Sequence, residues 1–202
     1  MFVKFFDENM KTYKGFQWQE GVKHTTSGEG NLCSAGWIHL YDDPLVAVFM
    51  NPIHGKYDLS MCQMRQVDVG GLFKYDGEPP NCFKLGVTEL IPREIIPIPE
   101  MTLTQRVAIG IYSALQVCSN PLFIEWGTDW LSGKDRTSKA TWATWAEMNS
   151  ATGSATGSAA VAVAAAMWAT TWAAMWSVED AVAKNVVVFN FPLVIEQGMK
   201  IK

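Results

Sequence analysis

The chain has 202 residues and a formal net charge of −4, with 49% hydrophobic and 18% charged residues. This composition supplies enough apolar side chains for a packed core, which excludes an intrinsically disordered or fibrous protein. The acidic balance argues against a chain whose main task is to grip nucleic-acid phosphates. The four cysteines have no Cys-x-x-Cys spacing, so we expect neither a zinc signature nor a disulfide framework.

Residues 1–100 are predicted to form a β-rich domain with an antiparallel or mixed sheet. Short runs of β-forming residues recur there, separated by the glycine, aspartate and proline clusters that are typical of turns. Asp43 and Pro44 predict the start of a short helix, because aspartate is a good N-cap and proline suits the first helical turn. The predicted strands are Phe2–Phe6, Thr12–Phe16, Trp37–Tyr41, Met61–Val69 and Cys82–Val87.

A proline-rich stretch from Ile91 to Pro99 marks the boundary between two halves of the chain. It contains three prolines, which fix φ and remove backbone donors, so the stretch is predicted to be extended and cannot be a helix. Residues 101–202 are then expected to form a second, helical domain.

The second half changes to a helical period. Thr102 and Gln105 match a capping box, in which the two side chains satisfy each other's backbone amides. Asn120 and Pro121 predict the start of a second helix, and further helices are expected near Asp135 and over Val161–Trp176. A β-branched run at 186–191 predicts a C-terminal strand. The expected fold class is α+β, with the sheet first and an Ala/Trp-rich helical bundle after it.

One uncharged stretch has two possible interpretations. Ala159–Trp176 approaches the length of a bilayer-spanning helix, but it is mostly alanine and has no flanking lysine or arginine, so we interpret it as a buried helix of a cytoplasmic protein. The repeated Ala-Thr-Gly-Ser unit at 150–158 fits either a flexible linker or a helix face of small residues.

Tryptophan is the unusual feature of the composition. Seven of the nine tryptophans fall in the second half, where few lysines or arginines accompany them, and this pattern argues against base stacking. They either fill spaces over alanines in a helical core or form an aromatic surface for a partner protein or a second copy. The candidate partner-binding residues are Trp126, Trp130, Trp142, Trp145, Trp168, Trp172 and Trp176.

The run His39-Leu-Tyr-Asp-Asp43 is the densest group of chemistry-bearing side chains. It offers an imidazole, a phenol and two carboxylates for a metal or for acid–base work. Alternatively, His39 faces a neighbouring strand and the aspartates cap the following helix. Because no second histidine stands at ligand spacing and no phosphate-binding or nucleophile motif is present, we expect no metal, no cofactor and no catalytic residue.

Several segments resemble an uncharacterised family that is common in bacteriophages and prophages. They are Met10–Phe16, with its Lys-x-Tyr-Lys-Gly-Phe, then Leu32–His39 and the dipeptide Pro44-Leu45. Family members carry the first motif, a Cys-x-x-Gly-Phe-His turn and a Pro-Leu pair that opens a helix. Here Trp37-Ile38 replaces the Phe-His step. The resemblance implies a phage or mobile-element origin, and hence an accessory protein that binds and inhibits a host protein, such as a CRISPR-type defence complex.

A second resemblance is to ADP-ribosyltransferases. It rests on the order of Tyr13-Lys-Gly15, Gly36–Tyr41 with its following helix, and Met61–Val69. It implies that His39 and Tyr41 lie near a nicotinamide pocket, that Glu89 or Glu94 is the catalytic acid, and that Lys14 replaces the usual first-strand Arg or His. The alternative function is therefore an NAD-dependent enzyme, or a relative that has lost the activity.

Overall fold

The computed structural model describes residues 1–75, 84–115, 121–137 and 191–202, and their fold is α+β, as predicted. The chain divides into two units, Met1–Glu100 and Met101–Lys202. The described strands are β1 (Val3–Phe6), β2 (Lys11–Thr12), β3 (Phe16–Gln17), β4 (His24–Thr25), β5 (Ile38–Leu40), β6 (Gln63–Tyr75) and β7 (Leu85–Ile96). The described helices are α1 (Pro44–His54), α2 (Leu103–Leu115), α3 (Pro121–Ser132) and α4 (Phe191–Met199).

The first unit is built on the long antiparallel pair β6 and β7. Strand β1 pairs with the start of β6, while β4 and β5 both pair with the other edge of β7, and every pairing is antiparallel. The proline-rich stretch is extended, as predicted, because its first six residues are the end of β7. Pro92 lies within this strand although it has no backbone N–H to donate, and its carbonyl oxygen accepts a hydrogen bond from the amide of Gly21 at 2.9 Å.

A single residue pair closes this sheet into a ring. Val3 and Tyr41 exchange both backbone hydrogen bonds, at 2.8 and 3.0 Å, and so join β1 to the end of β5. The strands β1, β6, β7 and β5 therefore form a small barrel. Its apolar interior is made by Phe6, Trp18, Ile38, Leu40, Val67, Leu85, Val87 and Leu90.

Helix α1 begins where the sequence predicts. The Asp43 carboxylate accepts the amides of Leu45 at 2.6 Å and Val46 at 3.2 Å, and Pro44 occupies the first turn. These bonds satisfy two of the amides that every helix leaves unpaired at its N-terminus. The helix then packs against β1.

The second unit contains α2 packed against α3 and α4. The predicted capping box is confirmed: the Thr102 amide donates to Gln105 Oε1 at 2.9 Å, and the Gln105 amide donates to Thr102 Oγ1 at 3.2 Å. The core between α2 and α3 consists of Ala108, Ile111, Ala114, Phe123, Trp126 and Trp130.

One predicted strand is interrupted by a turn, and another lies almost wholly outside the described residues. Thr12–Phe16 is not one strand, because Tyr13–Gly15 form a turn in which Lys14 and Gly15 take φ values of 59° and 73°. The predicted strand at 186–191 lies outside the described residues except for Phe191, which begins α4. The predicted helices that carry Trp142, Trp145 and Val161–Trp176, and the stretch 150–158, also lie outside them.

None of the helices that the structure describes has the length and apolarity of a bilayer-crossing segment. Ala159–Trp176, the stretch for which that question arose, is not among the described residues.

Candidate functional site

Among the described residues of the first unit, the two most exposed aromatic side chains lie on one short hairpin. Strands β2 and β3 pair Lys11 with Gln17 and Thr12 with Phe16. At the tip, Tyr13 is 82% exposed and Phe16 is 52% exposed. Lys14 adopts a left-handed conformation and places its ammonium 5.3 Å from the centre of the Tyr13 ring. We call Tyr13, Lys14 and Phe16 the aromatic tip.

The aromatic tip stands on a buried aromatic base. Phe16 meets the Trp18 indole edge-on, with ring centres 5.1 Å apart, and the His24 ring at 5.5 Å. Trp18 in turn packs on His24 at 4.5 Å, and its Nε1 donates to Thr12 Oγ1 at 2.8 Å. The hairpin is therefore fixed to the barrel by ring packing and by a hydrogen bond, rather than by its two-residue strands alone.

The charged side chains of the hairpin itself are both lysines. Residues 11–17 contain two lysines, Lys11 and Lys14, and no carboxylate. Beneath the hairpin, Lys4 Nζ lies 5.6 Å from the centre of the Trp18 ring, and His24 Nε2 is buried with no hydrogen-bond partner among the described residues. The aromatic tip is thus a small apolar surface beside two lysines, with the Asp7 carboxylate at the base of the hairpin, where it accepts the Lys11 amide at 2.7 Å.

Two of the seven candidate tryptophans can be located, and both are inside the second unit. Trp126 is 6% exposed and Trp130 is 8% exposed, on the face of α3 that packs against α2. The Arg136 guanidinium lies 4.8 Å from the centre of the Trp130 ring. These two indoles are core residues, which is the helix-packing alternative considered above. Trp142, Trp145, Trp168, Trp172 and Trp176 lie outside the described residues.

His39 and Tyr41 lie on the outer face of β5, because Ile38 and Leu40 alternate with them and face the barrel interior. His39 Nε2 is in close contact with the Leu32 carbonyl, and burial lowers the pKa of this imidazole. The Tyr41 hydroxyl lies 2.7 Å from His54 Nδ1, with the two rings stacked. This arrangement ties β5 to the end of α1.

The proposed acids of a transferase do not join this group. The Glu89 carboxylate pairs with Lys23 Nζ at 2.6 Å, beside β4, and Glu94 is exposed further along β7. Asp43 is the cap of α1. Among the described residues, no three His, Cys, Asp or Glu side chains converge as a metal site requires.

No protein-family model, no curated protein and no solved structure matches the chain.

The sequence contains part of the signal for the aromatic tip. The Lys-x-Tyr-Lys-Gly-Phe segment stands out as a motif, and its Lys-Gly pair is a turn signal that Gly15 fulfils. The base beneath it has no such signal, because Lys4, Trp18 and His24 belong to separate segments that only the barrel brings together.

Proposed function

We propose that this chain binds another protein and that the aromatic tip is its contact surface. The observation that carries the proposal is the exposure of Tyr13 and Phe16, at 82% and 52%, on a hairpin fixed from below by Trp18. Large aromatic side chains dominate the energetics of protein interfaces when they enter a partner's pocket. Their position on a fixed hairpin lowers the entropy that binding would otherwise cost.

The chemistry of the aromatic tip defines the partner surface. Tyr13 and Phe16 fit an apolar pocket, and Lys11 and Lys14 favour carboxylates around that pocket. Charge complementarity of this kind raises association rates and selects partners more than it adds affinity. We therefore propose a protein partner with an acidic rim around a hydrophobic depression.

The resemblance to phage and prophage proteins suggests where that partner is found. We propose a protein of the bacterial host, with the chain acting as an accessory inhibitor of a defence complex such as a CRISPR effector. The five tryptophans outside the described residues remain candidates for a second contact, whereas Trp126 and Trp130 stabilise the helical core.

The test is capture of host proteins with tagged full-length chain, followed by titration of the purified partner. The Tyr13→Ala/Phe16→Ala variant is expected to weaken binding at least tenfold, since two hot-spot aromatics are removed. The matched control is Leu72→Ala/Ile95→Ala, which removes two apolar side chains that are 61% and 56% exposed elsewhere on the first unit. This control should bind like the unmodified chain.

Equal binding by the hairpin variant and the control would overturn the proposal. A chain that captures nothing and leaves the added mass of ADP-ribose on host proteins would replace it with the transferase alternative.

A further inference from the structure

Thr12 is the hairpin residue that comes directly before the aromatic tip and turns its side chain toward the barrel. On β2 it follows Lys11 and precedes Tyr13, which are both exposed, whereas Thr12 is half-buried. Because successive side chains of a strand point to opposite faces, the inward direction of Thr12 fixes the outward direction of Tyr13. Across the hairpin Thr12 pairs with Phe16. Thr12 is therefore next to both aromatic residues of the tip.

The Thr12 hydroxyl ties the hairpin to its buried base. Its Oγ1 accepts the indole N–H of Trp18 at 2.8 Å, and Trp18 is buried. Within the described part of the chain, this is the one side-chain hydrogen bond that joins residues 12–16 to the rest of the protein. The turn itself is closed internally, by the Phe16 amide donating to the Tyr13 carbonyl. The position of the tip thus depends on ring packing and on a single hydroxyl.

Loss of this hydroxyl would reach Phe16 through Trp18. The indole N–H would stay buried without an acceptor, which is costly, and the base already contains one such atom, His24 Nε2. We therefore expect the indole to turn toward water. Phe16 packs edge-on against this indole, with ring centres 5.1 Å apart, so its position changes with that of Trp18.

We propose that Thr12 is a positioning residue of the partner-binding surface, and that its hydrogen bond to Trp18 keeps the aromatic tip in the conformation that binds. Because it concerns the same surface, this role rests on the proposed function. Thr12 acts through Trp18 on Phe16, and along β2 on Tyr13, without touching the partner itself. A tip released from its base samples other positions, and the apparent affinity falls in proportion to the fraction of tips that remains competent.

This role has its own kinetic signature. Removal of a side chain that contacts the partner mostly raises the dissociation rate. A smaller competent fraction lowers the association rate instead, because fewer encounters meet a tip that can bind. Tyr13→Ala/Phe16→Ala should therefore act on dissociation, and Thr12→Val on association.

The first measurement is hydrogen exchange of the full chain by nuclear magnetic resonance. Thr12→Val keeps the β-branched shape but removes the acceptor, and we expect the Trp18 indole N–H and the amides of residues 11–17 to exchange about tenfold faster, as loss of one buried hydrogen bond implies. Thr12→Ser keeps a hydroxyl and should restore slow exchange. Thr25→Val on β4 is the matched control, because its exposed hydroxyl bonds to no described residue.

The second measurement is the kinetics of binding to the host protein that the unmodified chain captures, purified and titrated with each variant. We expect Thr12→Val to lower the association rate about tenfold while the dissociation rate stays within about twofold. Thr12→Ser and Thr25→Val should bind like the unmodified chain.

Unchanged exchange in Thr12→Val, or a loss of affinity that lies in the dissociation rate, would overturn the proposal. If Tyr13→Ala/Phe16→Ala binds weakly while Thr12→Val binds normally, the positioning role fails and the proposed contact surface stands. If the double variant binds normally, the proposed function fails and this role fails with it, whatever the exchange rates show.

Discussion

The seam between β1 and β5 is held by two neighbouring contacts, one from Val3 and one from Lys4. Val3 exchanges backbone hydrogen bonds with Tyr41, and Lys4 Nζ bonds the carbonyl of His39, two residues earlier on the facing strand. The residue pair that closes the barrel is therefore adjacent to a charge that the barrel buries. Closure of the ring and protonation of Lys4 are energetically linked.

This link predicts a pH-dependent stability that the Lys4→Met variant removes. Because the pKa of Lys4 is about 8 in the folded chain and higher in the unfolded chain, the folded state binds fewer protons between these values. The contribution of a neutral Lys4 to the free energy of unfolding is fully present above the pKa of the unfolded chain and is lost as the pH falls through the pKa of the folded chain. After allowance for partial solvent exposure, the free energy of unfolding should rise by about 2 kcal/mol from pH 7.5 to 10.5 relative to Lys4→Met.

Urea denaturation of both proteins at several pH values measures this difference. A difference that stays constant with pH would contradict the expected linkage, whatever its size, because loss of the hydrogen bond to His39 has no such pH dependence.

The cap of α1 gives a second prediction. Asp43→Ala leaves the amides of Leu45 and Val46 without their carboxylate partner, and should lower the free energy of unfolding by about 1 kcal/mol. Asp42→Ala is the matched control, since it removes the same charge one residue away and should change stability by less than about 0.5 kcal/mol. Equal effects of the two substitutions in a urea titration would show that charge, and not capping, is responsible.

The features that the sequence predicts best are the helix caps, which depend on residues close together in the chain. Asp43 with Pro44, and Thr102 with Gln105, satisfy backbone amides within a few residues, so their chemistry is complete in the sequence itself. The Thr12–Phe16 strand was predicted wrongly because the left-handed turn at Lys14 outweighs the β-propensity of Tyr13 and Phe16. Propensity averages over a segment, whereas two consecutive residues at positive φ, Lys14 and Gly15, reverse the direction of the chain.

Contacts between distant segments had no such signal. Nothing near Tyr41 in the sequence indicates that it pairs with Val3, and nothing near Lys4 indicates that it lies over Trp18. These relationships depend on the pairing of β1 with β6 and on closure of the ring. The acidic composition of the whole chain likewise gives no indication of the hairpin at residues 11–17, whose charged side chains are Lys11 and Lys14.

The approach of α4 to α2 gives a third prediction. A Cβ on Gly198 would clash with Ile109 Cγ1 and lie 3.0 Å from the Ile109 backbone nitrogen, so Gly198→Ala must push the two helices apart. We expect a loss of about 1–3 kcal/mol in the free energy of unfolding of the second unit. Gly127→Ala is the control, because it adds the same methyl group to a helix, and the atoms that it would approach, Ile111 Cγ2 at 3.0 Å first among them, all belong to side chains and none to a backbone.

Thermal unfolding followed by circular dichroism compares the two alanine variants. If Gly127→Ala proves as costly as Gly198→Ala, the contact with the Ile109 backbone is not what limits the approach of α4.

The aromatic hairpin gives a fourth prediction, which separates its base from its tip. Trp18→Ala removes a buried indole that packs on Phe6 and His24, and should cost about 3–5 kcal/mol. Tyr13→Ala removes a side chain that lies almost wholly in solvent, and should change stability by less than about 0.5 kcal/mol. Chemical denaturation of each variant checks both values. A large loss from Tyr13→Ala would mean that the tip contributes to the fold and would weaken its assignment as a contact surface.

The ring of strands also sets the order in which the first unit can fold. Hairpin β6–β7 joins neighbouring segments and can form early, whereas β1 must await β6, the end of β5 and the connections between them. Non-local pairing of this kind slows folding, and we expect refolding of this unit on the millisecond to second scale. Until the ring closes, the apolar interior and the edge of β6 that β1 will cover are both accessible, so this interval is when the chain is most prone to aggregate.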